Sequence, residues 1–415
     1  MVNNQINKDE FQRLNFWTGV GSFHGAVAIV ILSTTISIWA EGLGLSPLQI
    51  GIISAALTFA IAFGSLITGW LVTKIKLYAI FNWINLVTLI GLMFFVFSKN
   101  MVMLFVGAIV VGFTTGIDLP VSLTVASVDT ENSKQRTLII ASSQMFWQFG
   151  ILVSYIGAFL TSKLSGLVGV RLLYTLFSLS VLITLIYRLN SKKLQSLHRP
   201  YVSVNKADPI KLTDLFKGKQ GKNSFIIFGA ITIFYVLWNL LSNTWGQFQT
   251  YALVNVGASQ TYAVGLGIIV NVIAFIMSFI FSRMASGRYR NLVFMLGILI
   301  QFIAMLGVVI VGANAGLAIL IFAITLYNFG QPLAGDGMYK VWTQESFPPV
   351  YRAKLQGIIN GIARLIAGIA AIFTPMLFTP GRIQITMLTF AIAILVAGCA
   401  GLIIIKIKNE EIKND

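Results

Sequence analysis

The chain of 415 residues has one cysteine, two histidines and few charges. Cys399 has no second thiol to pair with, so no disulfide forms within the chain and the thiol says nothing of redox compartment. Two histidines and one cysteine offer no zinc spacing, and neither a phosphate-binding loop nor a nucleophile elbow is present. So little catalytic material argues against an enzyme, and no metal or cofactor is implied. Charged residues make up 10% of the chain, against about a quarter in soluble domains. Acids are the scarcest, 13 against 29 Lys and Arg, for a net charge of +16. A nucleic-acid partner is not expected, because the basic charge is scattered over loops and lacks a binding motif.

What fills the chain is apolar: 57% hydrophobic residues and a mean hydropathy of +0.85. Twelve apolar segments follow one another, at 14–40, 50–70, 78–98, 101–127, 137–162, 168–187, 224–252, 260–281, 291–312, 316–339, 355–378 and 383–405. Each approaches or exceeds the roughly 20 residues that a helix needs to cross a bilayer. The predicted fold is an all-α membrane protein of twelve transmembrane helices in two six-helix bundles. The domains are an N-terminal bundle at 1–187, a basic linker loop at 188–223 and a C-terminal bundle at 224–415. With the N-terminus inside, only Lys99, Lys163, Arg171 and Arg382 fall outside, whereas every other Lys and Arg except Arg364 falls inside. That asymmetry predicts a multi-pass plasma-membrane protein with both termini in the cytoplasm. The linker carries Pro200, Pro209 and many cations, with anionic lipid headgroups as its expected contact, and His198 reads there as a solvated side chain.

The two halves share weak internal symmetry. Asp129 stands seven residues before Arg136 after segment 4, and Glu345 seven before Arg352 after segment 10. Asp118 and Asp336 precede those acids within the same segments, and the loop from Gly69 to Lys76 parallels that from Ser282 to Arg290. Glu345-Ser-Phe347-Pro348-Pro-Val-Tyr-Arg352, the Arg136, Gln144, Gly150 spacing and Gly44-Leu-Ser46-Pro-Leu-Gln49-Ile-Gly51 together resemble the major facilitator superfamily, in its sugar-porter and metabolite:proton symporter branches. The loop signature of that family survives only in fragments, with Thr73 where its acid would fall, and the sugar-porter Pro-Glu-Thr motif is not visible.

A charge deep in lipid costs at least about 2.5 to 3.5 kcal/mol, so ionisable residues inside the segments are the functional candidates. These are His24, Asp118, Asp336 and Arg364, which at about 1.5 Å per residue all fall near the midplane. The resemblance implies that helices 1, 4, 7 and 10 line the central cavity. Asp118 is then expected to be the proton acceptor and His24 its hydrogen-bonded partner, the reverse of the sugar-porter pair of an acid on helix 1 and an arginine on helix 4. A static pair that only ties the two helices is the alternative. Asp336 and Arg364 are expected either to neutralise each other or to leave Arg364 free to hold a substrate carboxylate.

Hydroxyl-rich ligands need amides and flat ring faces. The candidates are Gln144, Trp147 and Gln148 on helix 5, Asn239, Asn243, Trp245 and Gln247 on helix 7, and Asn328 and Gln331 on helix 10. The resemblance singles out Gln144 as a substrate contact. Asp129, Glu131, Arg136, Glu345 and Arg352 are expected to form a cytoplasmic gate. The expected function is proton-coupled uptake of a small hydrophilic substrate (a sugar, polyol or sugar acid) by a monomer working through alternating access. A proton-driven exporter of drugs or metabolites and a non-transporting membrane sensor are the alternatives.

Overall fold

A computed structural model describes residues 7–130, 133–198, 215–284, 289–311, 316–378 and 381–414, and every regular element among them is a helix. The chain divides into two compact units, Met1–Asn205 and Lys206–Asp415. The first holds α1 (Lys8–Leu43), α2 (Pro47–Lys74), α3 (Leu77–Val96), α4 (Met101–Val128), α5 (Ser133–Thr161), α6 (Val168–Asn190) and a single turn, α7 (Lys192–Gln195). The second holds α8 (Gly218–Asn255), α9 (Gln260–Met284), α10 (Arg290–Val311), α11 (Leu317–Gly330), α12 (Asp336–Ser346), α13 (Pro349–Leu377) and α14 (Ile383–Asn414). Ten of these are long and apolar enough to cross a membrane. α5 and the α11–α12 pair occupy the places of the fifth and tenth segments.

Local chemistry explains where the helices start and stop. Asn7 accepts from the Glu10 N–H while the Glu10 carboxylate accepts from the Asn7 N–H, a capping box that opens α1. The stretch that resembles family members between α1 and α2 is likewise a set of caps. Gly44 takes the left-handed conformation (φ 63°) that ends α1, Ser46 and Gln49 form a second capping box, and Pro47 occupies the first turn of α2.

The tenth segment departs from expectation: it is two helices, not one, with a break at residues 331–335. Pro332 has no N–H to continue the helix. Gly335 lies so close to its surroundings that a Cβ there would sit 2.5 Å from the Gln331 carbonyl oxygen and 2.6 Å from Trp238 Nε1. The break puts Asp336 at the start of a new helix.

Within the first unit α2 and α4 approach at backbone distance. A Cβ on Gly116 would stand 2.2 Å from the Ile61 carbonyl oxygen, and one on Gly64 would stand 2.3 Å from that of Phe113. Ser65 uses the approach to donate to the Gly116 carbonyl at 3.0 Å. Small residues at such crossings let helices pack without a hydrophobic driving force between them. The unit's core lies nearby, around Leu14, Phe81, Ile117, Val121 and Val125, and Leu194 of α7 is buried in it. In the second unit Trp342 is edge-on to Phe234 and Phe294, with ring centroids 5.0 and 5.1 Å away.

Gly116→Val should therefore force α2 and α4 apart and cost about 1 to 3 kcal/mol of stability. Gly229→Ala, where the new methyl meets nothing within 4 Å, is the control. Thermal unfolding of the purified protein in detergent measures both, and equal midpoints for the two variants would contradict the close approach.

Candidate functional site

The deepest charges of the first unit form one network. Asp118 is buried in α4, one turn before Ser122, whose hydroxyl donates to Oδ1 at 3.1 Å. Arg188 of α6 is fully buried and donates from Nη1 to the same carboxylate oxygen at 2.9 Å. Its other bonds run from Nη1 to the Phe81 carbonyl (2.9 Å) and from Nη2 to the Trp17 carbonyl (3.1 Å) and Ser122 Oγ (3.3 Å). The guanidinium carbon stands 3.8 Å from the centre of the Phe81 ring, a cation–π contact. One side chain thus binds α1, α3, α4 and α6. Gly21 makes room for it: a Cβ there would stand 2.6 Å from Ser122 Oγ and 2.9 Å from Asp118 Oδ2.

Two expectations are corrected here. The partner of Asp118 is Arg188, which the sequence reading assigned to the linker, and His24 is bonded elsewhere. His24 Nε2 lies 3.0 Å from Ser180 Oγ on α6, its ring is edge-on to Phe177, and Nδ1 has no hydrogen-bond partner among the described residues. The signal for Arg188 was in the sequence. Phe177, Val181, Thr184, Leu185 and Arg188 recur at helical spacing and make one buried stripe on α6, so the arginine ends the buried face and does not begin a loop.

In the second unit Asp336 and Arg364 do not pair. Asp336 forms an ion pair with Lys340, one turn along α12, at 2.5 Å, and accepts a longer bond (3.4 Å) from the Tyr235 hydroxyl. Its side chain is 39% exposed, so it is not the deeply buried midplane charge expected of a continuous helix. Tyr235 stacks on Tyr339 at 3.8 Å, and the Tyr339 hydroxyl accepts from Asn360 Nδ2 at 3.1 Å. Arg364 of α13 is half-buried and makes no hydrogen bond or ion pair among the described residues, although its charge reaches Tyr235.

The amide and aromatic candidates fall into separate groups. Gln144 and Gln148 are exposed on α5, and Trp147 lies against α1 near Gly25. On α8, Asn239 and Asn243 are half-buried, and Gln247 donates to Asn243 Oδ1 at 3.0 Å. Trp245 is buried among rings, 6.2 Å from Tyr327 and 5.5 Å from Phe378 between centroids. Gln331 reaches Ser242 Oγ at 3.4 Å, whereas Asn328 bonds back to its own helix at Ile324.

At the helix ends, two acids gather partners. Asp129, fully buried at the end of α4, accepts from the Tyr78 hydroxyl at 2.6 Å and lies 2.8 Å from His198 Nδ1. The solvated His198 expected from the sequence is thus corrected: its side chain is 10% exposed and stacks on Tyr78 at 4.0 Å. Glu345, at the end of α12, accepts from Arg290 at 2.6 Å and Lys408 at 2.7 Å. Burial alone would raise the Glu345 carboxyl, but the hydrogen bonds and charges of Lys408 and Arg290 outweigh it and hold the group below the ordinary carboxylate range. Their stabilisation is present above that range and is lost as pH falls through the lowered value. Of the other gate candidates, Glu131 and the side chains of Arg136 and Arg352 lie outside the described residues.

A sequence model of the Major Facilitator Superfamily matches residues 18–372. The chain belongs to that superfamily. It is 27% identical over 391 residues to the minor myo-inositol transporter IolF of Bacillus subtilis (strain 168), covering 91% of this chain and 87% of that protein. The crystal structure of a D-xylose–proton symporter superposes with a TM-score of 0.73 at 15% identity, over 93% of this chain and 94% of that one. An inward-open structure of the xylose transporter XylE from E. coli gives 0.69 at 15% identity, over 95% and 96%. Likeness at such identities shows the fold alone. This major facilitator protein is a multi-pass membrane transporter and not an enzyme, as the motifs around Glu345 and Gly44 led one to expect.

The Asp118–Arg188 pair in this transporter is asymmetric in what its loss would cost. Taking both charges out of water is expensive, so the pair adds little net stability, but removing one partner strands the other. Arg188→Met should destabilise by about 3 to 5 kcal/mol. Combining it with Asp118→Asn should recover part of that loss, since no unpaired charge remains. Thermal midpoints of the single and double variants measure the difference, and a double variant no better than Arg188→Met would refute the coupling.

Proposed function

We propose that this transporter imports a sugar or polyol, with an inositol as the leading candidate, together with a proton. The substrate half rests on the relative that covers most of the chain and is named as a myo-inositol transporter. The proton half rests on one observation: a carboxylate and a guanidinium, Asp118 and Arg188, bonded at 2.9 Å within the buried interior of the first unit. Protonating Asp118 removes the charge that balances Arg188, and Arg188 is the side chain that binds α1, α3, α4 and α6 to one another. A proton there biases the packing of those helices, and a substrate that prefers one packing is coupled to it reciprocally. His24, tied to α6 through Ser180 and still within reach of both charges, tunes the site and does not complete it.

The exposed amides of α5 (Gln144, Gln148) and the half-buried ones of α8 (Asn239, Asn243) supply donors and acceptors for hydroxyls. Within the second unit Gln247 bonds to Asn243 and Gln331 to Ser242, Asn328 lies on α11, and Trp147 in the first unit and Trp245 in the second supply ring surface. The basic asymmetry of the loops supports a plasma-membrane orientation with both termini in the cytoplasm. A monomer suffices for this mechanism. A second reading, uptake of a sugar acid, is favoured by Arg364, whose planar donors are not used by Asp336 and are suited to a carboxylate.

In proteoliposomes, labelled myo-inositol should accumulate under an inward proton gradient. Asp118→Asn should abolish accumulation yet retain counterflow, because the exchange of substrate needs no net proton movement. Accumulation undiminished in Asp118→Asn would remove that carboxylate from the coupling. A response to sugar acids but not to myo-inositol, lost in Arg364→Gln, would decide for the second reading. Dye efflux with no polyol, sugar or sugar-acid uptake would point to an exporter.

A further inference from the structure

Asp129 and Glu345 occupy corresponding places in the two units, and so do their partners. Each acid ends the helix that carries the fourth or tenth segment. Tyr78 lies in the first turn of α3, as Arg290 does in α10. His198 follows α6, and Lys408 lies near the end of α14, its counterpart. Both networks bind the same three elements, but with different chemistry. The partners of Glu345 are a guanidinium and an ammonium, charged throughout the neutral range. Among the described residues the partners of Asp129 include a phenol hydroxyl and an imidazole, the one side chain whose ordinary titration falls between about pH 5 and 8.

The residues that lead to His198 are packed as part of the first unit. Leu194 is fully buried in its core, Ser191 caps α7 through the Leu194 N–H, and Gln195 Nε2 donates to the Leu189 carbonyl at 2.6 Å. His198 lies on Tyr78 and meets the edge of Phe81, while the other face of the network, Arg188 over the Phe81 ring, is neutralised by Asp118. Among the described residues, the charged or titratable groups that meet the imidazole are Asp129 on α4 and Tyr78 on α3, with Arg188 on α6 across Phe81, and Lys192 and Lys193 are exposed on α7. To donate to a carboxylate, Nδ1 must carry a proton in both charge states of the ring. Protonation at Nε2 turns a neutral hydrogen bond to Asp129 into a charge-assisted one.

We propose that His198, Asp129 and Tyr78 form a proton-operated latch, by which residues 191–198 are held against the cytoplasmic end of α3 and α4 when His198 is charged and released when it is neutral. The Glu345 network, whose cations stay charged throughout the neutral range, is its counterpart. Only the word cytoplasmic rests on the orientation proposed above; the latch itself depends on neither the substrate nor the coupling site.

Hydrogen exchange of the full chain in detergent, followed from pH 6 to 8 and corrected for the intrinsic pH dependence of exchange, tests it without any transport assay. Protection of residues 191–198 should fall roughly tenfold as pH rises, the difference between a charge-assisted and a neutral bond. His198→Gln should make protection low and flat, and His198→Lys, with a fixed cation like Lys408, should make it high and flat. Peptides around Glu345 should not change. Because the chain has only two histidines, histidine-selective NMR also follows the ring directly in the unmodified protein. The latch is overturned if His198 titrates without a matching change in protection, if it does not titrate between about pH 5 and 9, or if His198→Gln keeps the wild-type pH profile.

Discussion

A guanidinium buried in a membrane protein must find all of its partners within the protein, because hydrocarbon supplies none. Arg188 draws on one carboxylate, two backbone carbonyls, a serine hydroxyl and a ring face through its two terminal nitrogens, while its Nε makes no hydrogen bond among the described residues. Those groups come from Trp17 on α1, Phe81 on α3, and Asp118 and Ser122 on α4. The first unit is thus organised around one charge, and several smaller features follow from it. Gly21 is small so that Ser122 and Asp118 can reach past α1, and Trp17 and Tyr187 stack at 3.9 Å beside the pair. The close crossing of α2 on α4 at Gly64 and Gly116 holds the far side of the helix that carries Asp118.

The second unit solves the same packing problem with less buried charge. Its interior is aromatic, around Trp342 and the Tyr235–Tyr339 stack, and its acids are at helix ends where cations can reach them. A break at Pro332 and Gly335 replaces the continuous helix that carries Asp118 in the first unit. Among the described residues Arg364 has no counter-ion of the kind that Arg188 has, since Asp336 pairs with Lys340. The two units thus differ in their buried chemistry, with a closed charge pair in the first and, in the second, an arginine that makes no ion pair among the described residues.

Most of the spans, the family resemblance of the Gly44–Gly51 stretch, the paired acids Asp129 and Glu345 and the place of Asp118 inside a span were legible in the sequence. Each depends on spacing along one helix or on a short turn, where neighbours in sequence are neighbours in space. Partners were not legible. Arg188 sits two residues before Asn190 at the end of α6, and a basic residue at that place reads as loop charge until the stripe from Phe177 onward is followed to its end. His198 was read as solvated for the same reason. Asp336 was placed too deep because a helix was drawn through Pro332, a residue that already argued against it.

By itself, the sequence determined that this chain spans a membrane many times and that it belongs with major facilitator transporters. Those are consequences of composition and of local periodicity. Only the tertiary structure decided that Asp118 answers to Arg188 and not His24, that Lys340 and not Arg364 neutralises Asp336, and that His198 is held by Asp129. The reason is one of reach. Long side chains at helix ends turn inward or lie along a neighbour, and which carboxylate they meet depends on helix packing and breaks that no spacing in the chain specifies.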